Sequence, residues 1–91
     1  MSNLKTVSVA PSTEYQNLAT LAGITFVSGT TYSIQVEGDV MVCESATKPT
    51  EPTERGTHVF WPQPFIFDAG SDPLWVKNLR EFENAIINIS D

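Results

Sequence analysis

The chain has 91 residues, 41% of them apolar and 18% charged, enough for one small packed domain and unlike the composition of a disordered chain. Eleven acidic against five basic residues give a net charge of -6, which repels phosphate backbones and anionic headgroups and argues against nucleic acid and membrane as partners. A single cysteine, Cys43, excludes an internal disulfide and a multi-cysteine zinc site, and no apolar stretch reaches the ~20 residues of a bilayer span or forms a Sec-type signal peptide.

Short apolar runs, each stopped by Gly, Pro, Asp, Asn or Ser, continue from Leu4 to Ile89. That spacing predicts an all-β fold, because each strand crosses a small core and must then reverse. Thr6 to Ala10 alternates polar and apolar residues before Pro11 and suits a half-buried first strand. Tyr15 to Leu21 fits a short strand or a single helical turn, and its poor helix formers favour strand. Ile24 to Val27 is expected as another strand, closed by Ser28-Gly29-Thr30.

Tyr32 to Ser45 is expected as a β-hairpin, with Gly38-Asp39 as its two-residue turn. With Glu37 opposite Val40, alternation places Tyr32, Ile34, Val36, Met41 and Cys43 on a core face and Val40 and Val42 on the other. Residues 46–56, with two prolines and no apolar anchor, should form a surface loop. His58 to Trp61 and Phe65 to Phe67 are strand fragments around Trp61-Pro62-Gln63-Pro64, where the prolines imply an edge or bend. Ala69 to Pro73 is a turn; Leu74 to Leu79 and Ala85 to Ser90 are the last strands, joined through Arg80-Glu81-Phe82-Glu83-Asn84. The sequon at Asn88-Ile89-Ser90 lies in the last of these and reads as coincidence. The expected product is one small β-sandwich of jelly-roll or immunoglobulin-like appearance with roughly six to eight strands, an OB-like barrel being the runner-up.

No catalytic signature emerges. His58 with Asp68 or Asp72 could be assembled into a Ser-His-Asp set on paper, but there is no nucleophile elbow. Cys43, beside Val42 and Met41, suggests a buried, unreactive thiol. The carboxylates of Glu37-Gly38-Asp39 and of Asp68 to Asp72 lie in turns but lack the spacing of a calcium loop. No catalytic residue, metal or cofactor is expected. Phe60, Trp61, Phe65, Phe67, Trp75 and Phe82 crowd the C-terminal half, mostly as core, with Trp61 the best placed to stack on a sugar.

Several strands look apolar on both faces: Phe65-Ile66-Phe67, Ala85-Ile86-Ile87 and the pair Val40 and Val42. Outward apolar positions in a two-layer fold suggest contact with another chain, which makes Val40, Val42, Trp61, Phe65, Ile66 and Phe67 the candidate interface residues. A β-bulge turning the two valines inward is an equal alternative.

The phrases Leu21 to Gln35, Glu44-Ser45-Ala46-Thr47-Lys48-Pro49 and Ser71-Asp72-Pro73-Leu74-Trp75-Val76-Lys77 resemble the small β-rich structural proteins of tailed bacteriophages. The resemblance covers most of residues 21–77. It implies a non-enzymatic virion protein, made in the host bacterial cytoplasm. Its partner would be the major capsid protein, bound as a decoration or cement protein, with trimeric assembly and avidity over a lattice. A tail, collar or fibre accessory protein and a carbohydrate-binding module are the alternatives.

Overall fold

The computed structural model describes residues 3–12, 14–50 and 56–91. Among the described residues, eight strands form two antiparallel four-stranded sheets: β1 (Asn3–Val9), β2 (Gln16–Asn17), β3 (Thr31–Glu37), β4 (Asp39–Glu44), β5 (Thr57–Phe60), β6 (Phe65–Asp68), β7 (Leu74–Asn78) and β8 (Ala85–Ser90). The first sheet has the order β1-β8-β3-β6 and the second β2-β7-β4-β5. Within them β1 pairs with β8, β2 with β7, β3 with β6 and β4 with β5, while β3–β8 and β4–β7 contacts complete each sheet. The all-β expectation therefore holds, as two separate sheets rather than one closed barrel.

One core lies between them. Tyr32, Ile34, Val36, Phe67, Ile87 and Ile89 from the first sheet meet Val40, Val42, Val59, Leu74 and Val76 from the second. Strict alternation produces this: every second residue of β3, β4, β7 and β8 is buried. Asn78, the last inward position of β7, is a buried polar residue, and its amide is fully used. Nδ2 donates to the Val9 and Glu83 carbonyls, both at 2.9 Å, and Oδ1 accepts from the Arg80 N–H at 2.9 Å.

The predicted hairpin does not form. β3 and β4 belong to different sheets, so residue 38 is the point where the chain crosses the core edge. Gly38 has φ +133°, which strains any side chain, and a Cβ there would meet Ala85 Cβ at 3.3 Å, close enough that Ala85 must give by a few tenths of an ångström. A hairpin turn exchanges the parity of the facing strands, whereas this crossing keeps it. Even-numbered positions 32, 34, 36, 40 and 42 all point into one core. Val40 and Val42, 0% and 1% exposed, are core residues and not interface residues. No bulge is responsible, since β4 pairs with β5 and β7 without a register shift. Met41 and Cys43, expected in the core, are instead half-buried on the outward face.

Two further expectations change. Residues 15–21 carry a two-residue strand and then a helix, α1 (Leu18–Ala22), because Asn17 Oδ1 accepts the Ala19 and Thr20 N–H groups and Gly23 ends the turn at φ 70°. Ile24 to Val27 forms no strand. Phe26 instead packs edge-on against Tyr32 and Phe67, at 4.8 and 5.1 Å between ring centroids, and the Val27 N–H donates to Tyr32 Oη. Of the predicted surface loop 46–56, residues 51–55 lie outside those described.

Candidate functional site

Antiparallel order throughout brings four connections to the same end of the two-sheet body: residues 10–12 with 14–15, the Gly38 corner, residues 61–64 and residues 79–84. Phe60, Trp61, Leu79 and Phe82 are gathered at this end and are 43%, 56%, 42% and 91% exposed. Large exposed apolar side chains scattered singly are ordinary; four gathered at one end, Phe60 at the close of β5 and the others on two connections, are not.

The backbone beneath them is braced. Phe60 is the Cα partner of Asp39, and the Leu79 N–H donates to the Asp39 carbonyl at 3.0 Å, which sets Leu79, Asp39 and Phe60 in one row across β7, β4 and β5. Asp39 also ties three elements through its carboxylate, with Oδ1 3.2 Å from His58 Nε2 and Oδ2 3.6 Å from Arg80 Nε. Arg80 Nη1 donates to Glu83 Oε2 at 2.6 Å, and Asn84 Nδ2 to Ser8 Oγ at 2.8 Å. Together with Asn78 these contacts anchor the 79–84 loop at both ends and hold Phe82 outward. Trp61 sits in a turn closed by the Gln63 N–H donating to the Phe60 carbonyl at 2.8 Å, and Gln35 Nε2 donates to the Pro62 carbonyl at 3.1 Å. An open groove between Pro11-Ser12 and Lys77 to Glu81 adjoins the same end.

No protein-family model, curated protein or solved structure matches this chain.

The sequence-derived interface residues separate into three groups. Trp61 is exposed at the apolar end. Ile66 is exposed on the outward face of β6, and Phe65 is half-buried against the core. Phe67, like Val40 and Val42, is core, and its side chain is inaccessible to a partner. Phe60, Leu79 and Phe82 were not among the expected interface residues. The signal for Phe82 was present: a phenylalanine in Arg80-Glu81-Phe82-Glu83-Asn84 has charged or amide neighbours throughout a connection too short to fold back on the core.

The polar groups do not assemble the arrangements considered for catalysis. His58 lies on Asp39, while Asp68 accepts from Thr31 Oγ1 at 2.7 Å on the other sheet. Cys43 is the Cα partner of Trp75, whose Nε1 donates to the Ser45 carbonyl at 2.9 Å. Among the described residues, no group of three or more His, Cys, Asp or Glu is placed to hold a metal ion.

Proposed function

We propose that this chain is a non-enzymatic structural protein of a tailed-bacteriophage particle, most concretely a capsid decoration protein that binds the major shell protein and strengthens the shell. We also read its two sheets as a jelly roll. The support is the pairing of first strand with last, second with seventh, third with sixth and fourth with fifth, the pattern made when one long antiparallel ladder folds over into two Greek keys.

Viral capsid domains and lectins both use that architecture, so the fold narrows the function without choosing it. The observation that carries the choice is the apolar end. Four large side chains on a strand end and two braced connections, with ionised groups around them, have the composition of an interface centre and its rim. Repeated over a lattice, a contact of this modest size gains its strength from many copies, and bound copies raise the free energy of opening the shell by mass action. Particles stripped of the chain should lose heat or pressure resistance and regain it when the protein is added back. Equal tolerance with and without it would contradict the decoration role.

The second reading is glycan recognition, favoured by the exposure of Trp61 in a turn and by the lectins that share the architecture. Saturable binding on a glycan array, lost in Trp61→Ala, would establish it in place of the architectural role.

A further inference from the structure

We propose that the chain docks end-on, through Phe60, Trp61, Leu79 and Phe82, onto a protein surface whose apolar centre is rimmed by lysine and arginine. The proposal rests on the virion reading and adds to it which part of the molecule meets the shell and what chemistry the shell must present there.

The charge around the apolar end identifies the partner. Glu37 precedes the Gly38 corner, Asp39 follows it, and Glu81 and Glu83 flank Phe82. Against these four carboxylates stand Arg80 and, in the adjoining groove, Lys77, so carboxylates outnumber cations at this end. Arg80 is already engaged by Asp39 and Glu83, so Glu37 and Glu81 are the carboxylates this end offers outward. Two copies of such an end brought face to face would oppose like charges, and anionic lipid headgroups would be repelled in the same way. A basic rim around an apolar centre satisfies both parts of the surface at once. Contacts between copies of this chain then fall elsewhere on the body.

The apolar residues are also prepared for contact. The bonds from Asp39, Asn78 and Asn84 fix the connections that carry Leu79 and Phe82 before any partner arrives, which reduces the ordering cost of binding. Phe82, almost wholly in solvent, has the most surface to bury and is expected to be the strongest single contributor.

The test uses particles lacking the chain, wild-type and variant proteins added back, and mass spectrometry to count bound copies at about 0.1 and 0.5 M NaCl, across which a charge-steered contact is progressively screened. Wild type should bind at the lower salt and weaken by about tenfold or more at the higher. Phe82→Ser and Trp61→Ser should each reduce affinity by about tenfold or more, and Glu81→Lys should also weaken binding. Val27→Ser, an exposed site at the opposite end, should bind as wild type. Thermal melts of the variants matching wild type would show that the losses are local. Binding retained by both Phe82→Ser and Trp61→Ser would overturn end-on docking while leaving the virion reading intact. Binding strengthened by salt would overturn the basic rim. Failure of the wild type to bind particles would overturn both, and solution dimerisation abolished by Phe82→Ser would replace the proposed partner with a second copy.

Discussion

Changing Val42 and Met41 separately to glutamate tests the crossing at Gly38, because the two residues are adjacent and face opposite ways. Val42 is 1% exposed and belongs to the shared core. Removing its burial forfeits about 1.5–3 kcal/mol, and a carboxylate confined there costs several kcal/mol more, or stays protonated and still lacks a partner. The total, about 5 kcal/mol or above, equals or exceeds the lower end of the roughly 5–14 kcal/mol expected for a domain of 91 residues. Met41 is half-buried on the outward face with Lys77 and His58 as its Cα partners. A glutamate there loses modest burial and gains Lys77 as an opposite-charge neighbour across the strands, worth about 0.2–1 kcal/mol. Thermal unfolding followed by circular dichroism should show Val42→Glu unfolded or melting more than about 20 °C lower, and Met41→Glu shifted by less than about 8 °C. The reverse order would mean that β3 and β4 pair as a hairpin, and the two-sheet assignment would be wrong.

Gly38→Ala should cost about 2 kcal/mol through its positive φ, lowering the melting temperature by roughly 8–16 °C; an unchanged melt would mean that the corner has another conformation. Asn78→Ala removes three hydrogen bonds and leaves the Val9 carbonyl without its donor, for an expected loss of about 2–4 kcal/mol in chemical denaturation; a loss under about 0.5 kcal/mol would contradict its bracing role. The Lys48 ammonium, hydrogen-bonded to Glu14 at 2.9 Å and attracting its charge, holds that carboxyl below its ordinary range. A depressed folded pKa favours the fold above the ordinary carboxylate pKa, and the effect disappears as pH falls through the folded value. In Lys48→Met the Glu14 midpoint, read by NMR, should rise to the ordinary range, and an unmoved midpoint would show that the pair does not form in solution.

Most strands were legible because period-two alternation is a local signal: Leu74, Val76 and Asn78 or Ala85, Ile87 and Ile89 declare an inward face without knowledge of the neighbour. Pairing partners were not, since β1 joins β8 across almost the whole chain and nothing local encodes that register. At the Gly38 corner turn chemistry and side-chain parity conflict, and parity decides the fold. Gly38-Asp39 suits a two-residue turn, yet apolar residues at 32, 34, 36, 40 and 42 keep one unbroken even series, which a two-residue turn would reverse. Residues 17–23 carried their own correction as well, with asparagine and glycine bracketing a run of Leu, Ala and Thr as helix caps. The flanking prolines mark Trp61 in the sequence, whereas the placement of Leu79 and Phe82 depends on which loops share an end. That is a property of the topology.

The most direct test of the proposed role is the number of copies of this chain per purified virus particle from its source, measured by quantitative mass spectrometry against the major shell protein. A number comparable to that of the shell protein is the predicted result for a decoration protein bound across the lattice. A small fixed number would move the chain to the tail or collar, and absence from the particles would contradict a virion role altogether.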